Sequence, residues 1–148
     1  MTDAALLEQF FAGTYPRDQW NHRAHLKVAY LLLRRFPFPA ALDQMRVGIR
    51  AYNAAQGIVD SPTGGYHETM TVAWMRIMFA MLCEYGPAET ADAFLDSQPQ
   101  LGEKKLLRLF YSAERLMSPE AKQRYVEPDL AALPVSEKVS GLTSRGAR

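Results

Sequence analysis

The sequence predicts an all-α, single-domain bundle of about five to seven helices, and three observations carry that expectation. Apolar residues recur at spacings of three and four along nearly the whole chain, the period of one helical face. Sustained two-residue alternation with hairpin turns is missing, which argues against a sheet. Cap residues, glycines and prolines then divide the chain into pieces of helix length. With 148 residues, 48% apolar and 22% charged, the chain can bury one core but not two ordinary ones.

Each element follows from local chemistry. Thr2 is placed to cap a first helix carrying Leu6, Leu7, Phe10 and Phe11, which Gly13 and Pro16 break. Asn21 is a good cap for a second helix running to about Phe36, with Pro37 as its stop. Its stripe of His22, His25, Leu26, Ala29, Leu32 and Leu33 shares one side of the cylinder. Pro39 suits the first turn of a third helix, whose buried face is Leu42, Met45, Ile49 and Tyr52 and whose end is Gly57. The segment 56–65, with Asp60, Ser61, Pro62 and two glycines, reads as an exposed loop.

A fourth helix, near residues 66–85, is the most apolar of the set. Met70, Trp74, Ile77, Met78, Met81 and Leu82 cover much of its circumference, so it is expected at the centre. Gly86-Pro87 ends it. A short helix is expected at about 88–95, another at 103–116, and a last one after Ser118-Pro119, a cap followed by a first-turn proline. The helical domain is placed at 1–133. From 134 to 148 the chain turns to Ser, Gly, Thr and Arg without apolar periodicity, as in a flexible tail.

Bulk charge excludes several partner classes. A formal net charge of +1 offers no broad field for nucleic acid or an anionic membrane surface. No apolar run reaches the roughly 18 residues of a membrane span. The N-terminus lacks a basic start followed by an apolar core, and a lone cysteine, Cys83, cannot close an internal disulfide. These features lead to the expectation of a cytoplasmic protein. Glycine-rich phosphate loops, CxxC pairs and dinucleotide fingerprints are all missing, which counts against the usual nucleotide-dependent enzymes.

The chemistry is concentrated elsewhere. All three histidines lie in two short clusters at expected helix starts: Trp20-Asn21-His22-Arg23-Ala24-His25 and Gly65-Tyr66-His67-Glu68-Thr69. His22 and His25, three apart, project to the same side of a helix. His67 and Glu68 are adjacent and diverge by about 100° within a helix, so they converge only if the helix begins there. If both clusters face one pocket, His22, His25, His67 and Glu68 form a set suited to a divalent zinc, manganese or iron ion. The same four residues would serve as acid, base and orienting group without a metal. Helix N-termini favour neutral histidine and attract anions, so an anionic small molecule is the second expected occupant. Trp20, Arg23 and Tyr66 are the candidate ligand-binding neighbours. Taken alone, each histidine is equally a core residue bonded to backbone, and Ser112 is more simply a cap than a nucleophile.

Four segments form an ordered series: Trp20-x-His22-Arg23-x-His25-Leu26, Gly65-Tyr66-His67-Glu68-Thr69-Met70-Thr71, Phe110-Tyr111-Ser112 and Val126-Glu127-Pro128-Asp129-Leu130. The series resembles a family of small, all-α bacterial proteins without an established activity. The resemblance covers about residues 5–133 and implies a helical fold, with no chemistry attached. The expected function is therefore an enzyme with a His/Glu pocket. The alternatives are a non-catalytic small-molecule binder, lined by Trp20, Tyr66 and Trp74, and a helical interaction module with inert histidines.

Overall fold

In a computed structural model, residues 1–135 are described, and these fold as the helical bundle that the periodicity predicts. Seven α-helices are found among them: α1 (Asp3–Ala12), α2 (His22–Arg35), α3 (Phe38–Ala55), α4 (Glu68–Tyr85), α5 (Ala91–Ser97), α6 (Ala113–Leu116) and α7 (Pro119–Gln123). Three 3-10 segments, Arg17–Gln19, Pro99–Gly102 and Lys104–Leu109, turn the chain between them. The expected flexible tail lies, from residue 136 on, outside the described residues. No helix among those described is long and apolar enough to cross a membrane.

The helix starts are set by side-chain caps. Thr2, Asn21, Thr90, Ser112 and Ser118 each accept a hydrogen bond from a backbone N–H three residues on, satisfying a donor the helix leaves unpaired. The fourth helix departs from this chemistry. His67 sits in extended backbone and its imidazole caps α4, so the helix begins at Glu68, two residues later than the pattern predicts.

Packing distributes the centre between two helices. α2 lies against α1, α3, α4 and α5, while α4 lies against α2, α3 and α7. Leu26, Val28 and Leu32 of α2 and Met75, Ile77 and Met78 of α4 are each at most 2% exposed, buried on more than one side of their helices. Phe10 of α1 stacks on Trp20 at 5.0 Å and on Tyr52 at 5.9 Å, tying α1 to the turn before α2. Gly48 of α3 makes room for that ring: a Cβ there would lie 2.5 Å from Phe10.

One element is corrected. The helix expected over 103–116 is a 3-10 turn, Lys104–Leu109, followed by the separate short α6. Asp129 supplies the physical reason. Its carboxylate accepts from the Ser112 N–H at 2.8 Å and from the Ser112 hydroxyl at 2.6 Å, breaking the run and leaving Ser112 as the cap of α6. Tyr111, fully buried, donates its hydroxyl to the Val126 carbonyl and anchors the returning chain.

Candidate functional site

A cavity of about 550 Å³ opens between α2, α3 and α4, with Lys104, Leu107 and Leu116 closing one side. Its wall is mainly apolar, with Leu26 and Ala29 from α2, Met45 and Ile49 from α3, and Met70, Trp74 and Met75 from α4. All three histidines line it, and so do both tryptophans of the chain, Trp20 and Trp74. The two clusters thus meet at one place, as their positions at two helix starts allowed.

Backbone partners determine what each imidazole can do. His22 sits in the first turn of α2 and its Nε2 lies 2.8 Å from the Leu101 carbonyl. A carbonyl only accepts, so Nε2 carries the proton and Nδ1 keeps a lone pair. His25 donates through Nδ1 to the Asn21 carbonyl at 2.8 Å, which leaves the lone pair on Nε2. Its ring lies against Trp20, with centroids 3.9 Å apart, and His22 meets the edge of Trp74 at 4.6 Å. His67 donates from Nε2 to the Leu116 carbonyl at 2.9 Å, while its Nδ1 accepts the Met70 N–H at 3.1 Å. His67 has no ring nitrogen left.

Burial keeps all three rings neutral. Desolvation lowers the His22 pKa against the opposing bond to Leu101, with Lys104 adding to the decrease. For His25 desolvation outweighs the bond to Asn21 and carries the value down to about 4. His67 is lowered in the same way, with Lys122 contributing. At neutral pH the histidines are uncharged, and His22 and His25 each retain one acceptor nitrogen without a partner among the described residues.

Asn53 is the residue that sequence reasoning missed. It is 8% exposed and lines the cavity, yet its side-chain amide has no hydrogen-bond partner among the described residues. No side-chain nitrogen or oxygen among those residues is both fully enclosed and unpaired, so the amide of this wall residue stays accessible. A signal was present: Met45, Ile49 and Asn53 recur at four-residue spacing, which puts a carboxamide on the buried stripe of α3. Lys104, read as half of a solvated basic pair, also reaches the cavity while remaining exposed.

Three expected site residues are committed elsewhere. Glu68 does not line the cavity: it forms an ion pair with Arg46 of α3 at 2.8 Å and accepts the Tyr66 hydroxyl at 2.5 Å. Burial pushes its carboxyl up, but the hydrogen bonds from Arg46 and Tyr66 outweigh that and hold it below the usual range. Arg23 points outward to Asp92 and Asp96 of α5, both at 2.9 Å, and lies outside the cavity wall. Tyr66 does line the cavity, but its hydroxyl is spent on Glu68 and its ring lies under the Arg50 guanidinium, 4.4 Å away.

The expected four-ligand metal set of His22, His25, His67 and Glu68 is therefore not assembled. Among the described residues no group of three or more His, Cys, Asp or Glu is placed to hold a metal ion. Geometry gives the reason. With His67 as the cap, Glu68 is the first helical residue and turns toward α3, and the sole lone pair of His67 already accepts the Met70 N–H.

The bent entry to α4 that the paired glycines foretold does form. Gly65 has φ +85°, and Asp60 turns back so that its carboxylate accepts the Tyr66 N–H at 2.9 Å. A Cβ on Gly65 would fall 2.1 Å from that carboxylate oxygen, so only glycine fits. Lys122 of α7 donates to the Tyr66 carbonyl and closes the same corner.

Compared with known proteins, no family model, curated protein or solved structure matches the chain.

Proposed function

We propose that the protein binds a small molecule in the cavity between α2, α3 and α4, and that binding rather than catalysis is its primary role. The observation that carries this reading is an apolar cavity of about 550 Å³ between three helices, with the Asn53 amide on its wall and without a protein partner among the described residues. A volume of about 550 Å³ also falls within the range of small-molecule sites, where few polar groups orient a ligand against apolar walls.

The acid–base version has less support. His25, held down to about 4, is a weak base at neutral pH, and its orienting partner is a backbone carbonyl rather than Glu68. One observation favours a catalytic second reading. His22 is steadied through Nε2 by Leu101 while its Nδ1 has no partner among the described residues, the arrangement of an oriented general base. A divalent metal is a weaker reading still, because no carboxylate among the described residues lines the cavity to offset a dication.

Nile red, a neutral fluorescent probe, tests the binding reading. It should bind one-to-one and lose its signal in Ala29→Phe, where a ring would fill the space beside a buried wall residue that is 2% exposed. Circular dichroism establishes that the variant keeps its helices. Failure of the dye to bind, or equal binding by the folded variant, would count against the cavity as a ligand site.

A further inference from the structure

We propose that this cavity selects an uncharged molecule with an apolar body and a hydrogen-bond-donating edge, such as a phenol or an N–H heterocycle, over carboxylates, phosphates and cations. The inference rests on the binding reading above and follows from which polar atoms remain free. His22 and His25 have each given their N–H to a backbone carbonyl, so each offers a ligand a lone pair and no proton. Asn53 adds an amide that both donates and accepts. Two acceptor nitrogens and one amide call for a partner that brings O–H or N–H groups.

Charge narrows the class. An anion would face the two imidazole lone pairs, and protonating either ring to receive it is opposed by burial beside Trp20 and Trp74. At each helix start the cap already takes one of the N–H groups that would attract an anion: the Asn21 side chain takes the Ala24 N–H at 2.9 Å and His67 takes the Met70 N–H. Lys104 stands exposed at the rim, where water screens it. A cation would find no carboxylate on the wall among the described residues, since Glu68 is bound to Arg46. The tryptophans and methionines of the wall leave an apolar, aromatic-lined space for a ring or a short chain.

Three probes of similar size separate these alternatives: para-ethylphenol, para-ethylanisole and para-ethylbenzoate, each titrated at pH 7.5 into the ¹⁵N-labelled protein. The indole N–H resonances of Trp20 and Trp74 report occupancy, because both rings line the cavity. The phenol should shift them with a dissociation constant about tenfold lower than that of the anisole, and the benzoate should bind more weakly than either. His25→Phe should reduce the preference for phenol over anisole, and the double variant His22→Phe/His25→Phe should remove most of it. His25→Gln, which retains an acceptor oxygen, should preserve most of it and serves as the test if the phenylalanine variant does not fold. Equal binding of phenol and anisole, or strongest binding by benzoate, would overturn the donor-edge inference and leave the cavity standing. Failure of all three to move either tryptophan would overturn the binding reading and the inference together.

Discussion

Replacing His67 with alanine separates a structural histidine from a functional one. The side chain makes two bonds that hold α4 and α6 in place: it accepts the Met70 N–H at 3.1 Å and donates to the Leu116 carbonyl at 2.9 Å. Losing a helix cap costs about 1 kcal/mol. Leaving the Leu116 carbonyl short of a partner costs about another 1–2 kcal/mol. The expected loss is therefore about 2–3 kcal/mol, or a fall in Tm of roughly 8 °C for a chain of this size. His67→Asn should recover the cap but not reach Leu116, so about half of the loss should return. Urea unfolding followed by circular dichroism measures both variants with the slope as a control for two-state behaviour. A His67→Ala protein within about 0.5 kcal/mol of the parent, with loss confined to Nile red binding, would refute the structural role argued for this ring.

Other expectations follow from the same geometry. His25 is neutral in the folded chain down to about pH 4, whereas an unfolded histidine takes a proton near its ordinary 6.5. The unfolded state therefore binds more protons between those values. Stability should be full above about pH 6.5 and fall on acidification through the folded value, by on the order of 3 kcal/mol from this residue. Urea midpoints across pH 4–7 would show this, and a flat profile would refute it. Gly48→Ala would drive a methyl against the Phe10 ring and should cost about 1–3 kcal/mol, with a shift in Trp20 fluorescence through the Phe10 stack; an unchanged urea midpoint would refute it. Glu68→Ala removes the acceptor of the Tyr66 hydroxyl and leaves the Arg46 guanidinium only its bond to Asp43, and should cost about 1–3 kcal/mol in the same assay. It should leave zinc uptake, measured by elemental analysis, unchanged from the parent. Stoichiometric zinc in the parent that disappears in Glu68→Ala would reinstate the four-ligand set.

Much of the architecture was legible because local rules and tertiary packing agree along most of the chain. Asn21, Ser112 and Ser118 cap the helices their types suggested, and the stripe from Leu26 to Leu33 is buried on α2. Agreement failed over 103–116. There Asp129, 17 residues beyond Ser112, captures the Ser112 N–H and hydroxyl, a contact that no local pattern announces. The site was legible only in part. That both histidine clusters face one cavity could be anticipated from their positions at two helix starts. What their nitrogens are free to do could not, because Leu101 and Leu116 lie 79 and 49 residues from the rings they engage.

The sequence by itself determined the helical class, most helix boundaries and the residues from which a site would be made. Those properties arise from spacing and cap chemistry acting within a few residues, a range over which composition alone decides. Tertiary structure decided which of those residues face the cavity and which proton each ring keeps. It turned Glu68 to Arg46 and Arg23 to α5, and it left the Asn53 amide without a partner among the described residues. These outcomes depend on hydrogen bonds and burial between segments far apart in the chain, where a side chain's partner is set by the packing of whole helices rather than by its neighbours in sequence.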